Sequence, residues 1–405
     1  MQRSVPRFSE HGRQALILTG VNGLFWLAWS FSSYQTVYLQ EVGFSASQLG
    51  LLNALTSGVS IASLAFWGMV SDRIRSLRRV LITVLVGGAV LFALIPAIPT
   101  GLPNSSLLLL ILIPVVYFFR GSMCTYAENI LVRNSNELRL NYGLLRSAGS
   151  LLFTAGGLAI TALLPLVGVP STFWMSGVLM IPVVLLTLLA REPNAQPTQS
   201  APKEKPNPSE LFRNKSYVAF LIFGFLFYIA ASCEGSFLPY FIQGVGVPTE
   251  LYVVVLSYRA FLEIPFLLLM VRLRRRFPLK VLVIVSAVLM AMECLSLGFF
   301  ANSFFSIILS TTFFGLGNGL FIGSSLNYLY ELAPSHLKAS AQAFFSAMSS
   351  VAGILGNLMG GVIFDAVGAK PFYLLVAALY LLSVGVFFLT QRNSKKKTAE
   401  FSTSF

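Results

Sequence analysis

Seven ionisable side chains fall inside long apolar runs of this chain: Arg120, Glu128, Arg146, Glu234, Arg259, Glu263 and Glu293. At the centre of a membrane-spanning helix each such charge costs at least roughly 2.5–3.5 kcal/mol, so these groups must face a polar interior and find partners there. Four acids against three bases leave one carboxylate without a cation. A desolvated carboxyl of that kind can hold a proton and surrender it when water or a cation approaches, which is the chemistry a proton-coupling site requires. A Glu and an Arg at equal depth offer something different: paired acceptors and donors for a hydroxylated, zwitterionic or anionic ligand. No nucleophile, metal-ligand cluster or cofactor motif stands above background, so catalytic residues, metals and cofactors are expected to be absent. Gly315, Gly317 and Gly319 precede no Gly-Lys-Ser/Thr and are not a P-loop; close helix packing is their expected use.

The elements that position these groups follow from composition. Of the 405 residues 56% are hydrophobic and 11% charged, against roughly 25% charged in a soluble domain. A bilayer span takes about 20 apolar residues. Six apolar runs lie near 15–39, 47–70, 80–98, 105–131, 142–165 and 170–190, and six more near 217–243, 248–271, 279–301, 303–330, 341–365 and 370–391. Between them the Pro-rich, charged stretch 191–216 reads as a hydrophilic linker. The expected organisation is a cytoplasmic N-tail 1–13, a six-helix bundle 14–190, the linker, a second bundle 217–391 and a cytoplasmic C-tail 392–405. The fold class is all-α integral membrane, with twelve transmembrane helices in two pseudo-symmetric bundles. Cys124, Cys233 and Cys294 sit in apolar runs and are expected to pack, not to form a disulfide framework.

The net charge of +13 does not imply a nucleic-acid partner, because 24 of the 28 Lys and Arg fall in alternate connecting segments. That asymmetry predicts both termini cytoplasmic in a plasma membrane, with the lipid bilayer as the chain's surroundings. The two halves also repeat: Ser33–Gly43, SYQTVYLQEVG, and Ser236–Gly246, SFLPYFIQGVG, share Ser, Gln, Val and Gly at a constant offset of 203.

Depth arguments pair the charges. The polar turn from Arg133 to Asn141 places Glu128 and Arg146 each five positions into its helix, about 7–8 Å from one boundary of an antiparallel pair. They can meet. Arg120, eight residues before Glu128 and about 80° round the helix, could bind a ligand carboxylate or compensate Glu128. Glu263 lies nine residues from Arg272, about 13 Å deep and near the midplane. Arg259 precedes it at i,i+4, spacing that predicts an ion pair of structural or functional use. Among the many aromatics, Trp26 and Tyr126 are the candidates to stack on a ring-bearing solute, the rest serving as interfacial or lipid-facing anchors. Asn22 and Asn53 can bridge helices or touch a ligand.

Gly68-Met-Val-Ser-Asp72-Arg73-Ile-Arg75-Ser-Leu-Arg78-Arg79 resembles the G-x-x-x-D-R-x-G-R-R loop of the major facilitator superfamily. Gly68, Asp72 and Arg73 fit; Arg75 stands where the pattern has Gly, and the basic pair is displaced. The resemblance implies that this loop helps lock an inner gate. Within the superfamily the chain is similar to the branch of lactose and phenylpropionate permeases and nucleoside–proton symporters. YGLLRSAGS around Arg146, with Glu128 18 residues earlier, resembles that branch's aromatic-Gly-x-x-Arg-x-x-Gly segment and its acid, which implies solute binding by Glu128 and Arg146. Glu263 resembles the branch's acid for substrate binding and proton coupling. The sugar permease's relay is not copied whole: Phe314, Gly317 and Ser349 occupy the places of its later charged residues, and the two histidines lie outside the spans.

The expected function is proton-coupled symport of a small polar organic solute, a sugar, nucleoside or aromatic acid, by alternating access of a monomer. Glu128, Arg146, Arg120, Trp26 and Tyr126 are the expected solute contacts. Glu263, supported by Glu234, Glu293 and Arg259, is expected to exchange the proton, while Gly68, Asp72 and Arg73 serve the gate. The alternatives are proton-driven efflux of sugars or drugs, which LEIP in the eighth span also resembles, and a non-transporting sensor with a degenerate cavity.

Overall fold

The computed structural model describes residues 10–99, 104–193 and 209–402. Among the described residues every regular element is helical. The first half contains α1 (Glu10–Ser32), α2 (Gln35–Glu41), α3 (Ala46–Ile74), α4 (Leu77–Ala93), α5 (Ser105–Glu137), α6 (Tyr142–Val167) and α7 (Ser171–Leu189). The second contains α8 (Ser209–Arg213), α9 (Lys215–Ser236), α10 (Leu238–Gly244), α11 (Tyr252–Arg276), α12 (Leu279–Phe300), α13 (Phe304–Leu332), α14 (Lys338–Val367) and α15 (Ala369–Ser402). With α1 and α2 taken as one span, 11 described helices are long and apolar enough to cross a membrane. The helix α11 has 25 residues and carries Arg259, Glu263 and the Arg274–Arg276 run. The short α8 lies inside the stretch expected as linker, and α15 continues beyond Thr390 into the basic tail.

The repeat is visible in backbone detail. At the break after Ser32 and again after Ser236 the chain restarts a seven-residue helix, α2 or α10. Each short helix ends in the same cap: Gly43 N–H bonds the Gln40 carbonyl and Phe44 N–H bonds Leu39, while Gly246 bonds Gln243 and Val247 bonds Ile242. Gly43 and Gly246 have φ of 88° and 80°, the left-handed conformation such caps demand and glycine adopts without strain. Helix pairing repeats too. In the first unit α1 packs on α6 and α7, and α4 on α5 and α7; in the second α9 packs on α14 and α15, and α12 on α13 and α15.

The chain divides into two compact units, and the division does not fall only at the linker: Ser45–Ala54 group with the second unit. Glycine explains this locally. A Cβ on Gly50 would lie 2.2 Å from the Asn357 carbonyl oxygen, and one on Gly361 2.4 Å from that of Ala46, so the start of α3 and α14 approach backbone to backbone. Asp365 then accepts hydrogen bonds from the first N–H groups of α3, Ala46 at 3.0 Å and Ser47 at 2.8 Å. A carboxylate at a helix N-terminus satisfies donors that the helix itself leaves open.

Candidate functional site

In the first unit, Glu128 on α5 and Arg146 on α6 meet as their depths require. Arg146 Nε lies 3.6 Å from Glu128 Oε2, and both side chains remain about one third exposed, at 33% and 35%. The turn between the helices sets their register: Arg139 adopts φ 51°, Leu140 N–H bonds back to Ser135, and the Asn141 side chain caps α6 by accepting from Leu144. Tyr142, one turn before Arg146, donates its hydroxyl to Glu128 Oε1. Asn22 on α1 donates to the carbonyls of Leu145 at 2.9 Å and Arg146 at 3.2 Å, fixing the α6 backbone where the guanidinium leaves it. Trp26, one turn along α1, places its ring 4.8 Å from the Arg146 guanidinium carbon. Gly149 makes this possible, since a Cβ there would sit 2.4 Å from Trp26 Cδ1 and 2.8 Å from Asn22 Nδ2. A carboxylate, a guanidinium, a phenol and an indole face thus share one partly open place.

Tyr142 and Gly149 escaped the residue-by-residue reading, although both are positions of the aromatic-Gly-x-x-Arg-x-x-Gly segment already recognised there. Tyr126 is 5% exposed and belongs to the unit's core with Phe25, Trp67 and Met123. Arg120 does not compensate Glu128. It is 3% exposed, its guanidinium carbon 4.7 Å from the Trp29 ring and 3.9 Å from the Phe92 ring, and it donates to Ser32 Oγ at 2.9 Å. Two aromatic faces stabilise the desolvated cation electrostatically in place of a carboxylate.

The α3–α4 turn explains the glycine of the family loop. Arg75 has φ 51°, the left-handed region, where the pattern supplies Gly. Ser76 caps α4 by accepting from Arg79 N–H at 3.2 Å. Glu192, from the segment after α7, binds this turn: it accepts from Ser76 Oγ at 2.6 Å and from Arg78 N–H at 3.2 Å. Arg78 in turn donates to the Ala190 carbonyl at 3.0 Å. Asp72 and Arg73 are exposed, and neither forms an ion pair among the described residues, while Gly68 has open space where a Cβ would stand.

The second unit contains the largest departure from expectation. Arg259 does not pair with Glu263. Its Nη2 lies 2.7 Å from Glu234 Oε1 on α9 and also donates to Glu293 Oε1 on α12, and all three side chains are at most 4% exposed. Phe314 on α13 covers the guanidinium at 4.2 Å. Spacing within α11 predicted an i,i+4 partner, but tertiary packing brings two carboxylates from other helices, α9 and α12, to the arginine. Glu263, half-buried, accepts instead from Asn318 Nδ2 at 2.7 Å. Glycines set this register: a Cβ on Gly315 would stand 2.9 Å from the Arg259 carbonyl oxygen, and one on Gly319 2.9 Å from that of Glu263. Each of these glycines follows the residue, Phe314 or Asn318, that meets the charge. Asn318 was not singled out from sequence; its signal is that it stands beside the glycine facing Glu263.

Comparison with known proteins agrees with this architecture. A family model described as "MFS_1 like family" matches residues 24–375. An uncharacterized transporter of Bacillus subtilis, YwbF, is 25% identical over 370 residues, 89% of each chain. The maltose permease of Geobacillus stearothermophilus is 25% identical over 363 residues, 89% of this chain and 90% of the permease. Among solved structures, the nucleoside transporter NupG superposes with a TM-score of 0.77 at 17% identity, covering 93% of this chain and 98% of that one.

Proposed function

The chain belongs to the MFS_1 like family of the major facilitator superfamily, a membrane transporter and not an enzyme, and from that premise we infer that it imports a small hydroxylated solute, a sugar or nucleoside, together with protons. The observation that carries the solute class is the Glu128–Arg146–Tyr142 cluster beside Trp26. Carboxylate, guanidinium and phenol supply acceptors and donors in fixed directions for hydroxyl groups, and the indole face suits the apolar face of a sugar ring or a nucleobase. The similarity to a maltose permease supports the same class. The acids of the second unit, Glu263, Glu234 and Glu293, supply the groups on which a proton can travel. Access alternates between the two sides of a plasma membrane, with both termini cytoplasmic and a monomer as the working unit. Asp72, Arg73 and Gly68, at the end of α3, serve the inner gate.

The test is the internal pH of proteoliposomes on external addition of maltose, sucrose, uridine, adenosine, an aromatic acid and a cationic drug, with Arg146→Ala as control. Acidification with one class, lost in the control, is expected and names that class. Alkalinisation establishes antiport and replaces import by efflux. Solute movement without proton movement removes the coupling ion from the reading.

A further inference from the structure

Glu234, Arg259 and Glu293 form a closed cluster from three helices of the second unit, and its charges do not balance. Both carboxylates approach one nitrogen, Arg259 Nη2, so they are neighbours of each other as well as of the cation. Glu234 is 1% and Glu293 0% exposed, and Glu234 Oε2 and Glu293 Oε2 accept no hydrogen bond among the described residues. The other titratable groups facing the cluster are Tyr252 on α11, Cys294 on α12, and Tyr373 and Tyr380 on α15, with Cys233 on α9 beside them. None of these is a cation. Tyr373 spends its hydroxyl on the Glu234 backbone carbonyl at 2.8 Å, and the Phe314 ring covers the guanidinium. Glu263 turns to Asn318 and is not hydrogen-bonded into the cluster. Two ionised carboxylates with one guanidinium would leave a net negative charge in a dry place, which is strongly unfavourable and is relieved by one proton on the pair. Like-charged carboxyls this close titrate as a pair sharing that proton.

We propose that Glu234 and Glu293 share a single proton over Arg259, and that this shared proton is the one exchanged during transport. The proposal rests on the proton-coupled reading above and assigns its carrier. In the loaded cluster one carboxyl O–H, one carboxylate and one guanidinium sum to zero. A proton taken from water on one side forms that O–H, and its release to water on the other side leaves two carboxylates and the guanidinium, one charge more negative. No co-reactant is needed. Glu263 is then not the carrier.

The charge count makes a specific experimental demand. Replacing either acid by Gln leaves one carboxylate opposite one guanidinium, a balanced pair with no reason to hold a proton. Infrared spectra of the full chain in lipid nanodiscs at neutral pH are expected to show the carbonyl stretch of a protonated carboxyl, lost in Glu234→Gln and equally lost in Glu293→Gln, with that same component retained in Glu263→Gln. No protonated-carboxyl band in the wild-type protein overturns the proposal without reference to any variant. A band that survives in either Glu234→Gln or Glu293→Gln overturns it too. In proteoliposomes, pH-gradient-driven accumulation of the solute class that acidifies the lumen is expected to fall to the level of empty liposomes in both variants, while solute exchange without a gradient continues. Wild-type accumulation that moves no protons retires the coupled reading. Coupling that survives both substitutions retires only the carrier assignment.

Discussion

Asn318 Nδ2 donates to Glu263 Oε1 across 2.7 Å, one turn along α13 from the point where Phe314 covers the Arg259 guanidinium. Both meetings depend on glycines that let α13 lie on the backbone of α11. Gly319→Ala places a methyl group 2.9 Å from the Glu263 carbonyl oxygen and 3.1 Å from its Cα, and backbone cannot step aside. The expected cost is about 1–3 kcal/mol, the range for overpacking a close helix contact. A lowered thermal unfolding midpoint in detergent checks it; an unchanged midpoint would show that α11 and α13 separate freely at this point.

Gly149 has the corresponding role in the first unit. Gly149→Val fills the space of Trp26 Cδ1 and Asn22 Nδ2 and displaces the indole from Arg146. Solute affinity is expected to weaken by at least about tenfold, roughly 1.4 kcal/mol. Titration calorimetry with the solute identified in proteoliposomes measures this, and wild-type affinity would place the solute away from Trp26. Tyr142→Phe, which keeps the ring and removes only the hydroxyl given to Glu128, is expected to fall between the two.

The left-handed turn residues offer a gain of stability. Arg75→Gly and Arg139→Gly relieve a φ of 51° that costs an L-residue roughly 1–2 kcal/mol, offset in part by the larger freedom of glycine in the unfolded chain. Each variant is expected to unfold at a higher temperature by an amount worth about 0.5–1 kcal/mol. Ser76→Ala, which removes the α4 cap and the bond to Glu192, should shift unfolding the other way by about 1 kcal/mol. Matching midpoints in all three would mean that these turns are not under strain.

Cysteine chemistry reports on the same site. Cys124 is half-buried on α5, one turn from both Arg120 and Glu128, while Cys233 and Cys294 are buried. A thiol reagent is therefore expected to label Cys124 first, and saturating solute to slow that reaction. Equal alkylation rates with and without solute, read by mass spectrometry, would move the binding place off this face of α5.

Much of this was legible in the chain before any coordinates. The pairing of Glu128 with Arg146 followed from their equal distances to one polar turn, because antiparallel neighbours joined by a short turn have their depths fixed by residue counting. The repeat likewise showed as Ser, Gln, Val and Gly at one offset, since a left-handed cap accepts few residues other than glycine. Arg75 showed only as a departure from the family glycine; that the position is left-handed, with φ 51°, came from the structure.

Partner choice in the second unit was not legible. Sequence spacing put Glu263 within reach of Arg259 along α11, but a long arginine side chain can turn to any neighbour around its helix, and which helices flank α11 is a tertiary fact. Glu234 and Glu293 stand on α9 and α12, far apart in sequence, and only helix packing brings them to one guanidinium. Arg120 makes the same point: its cost of burial is met by Trp29 and Phe92, aromatic rings indistinguishable in the sequence from the many that pack or face lipid. The chain by itself determined how deep each charge lies and which segments turn back on each other, because those depend on local counting and backbone conformation. The tertiary structure alone decided which charges share a chamber, because that depends on helix contacts between residues that no local spacing relates.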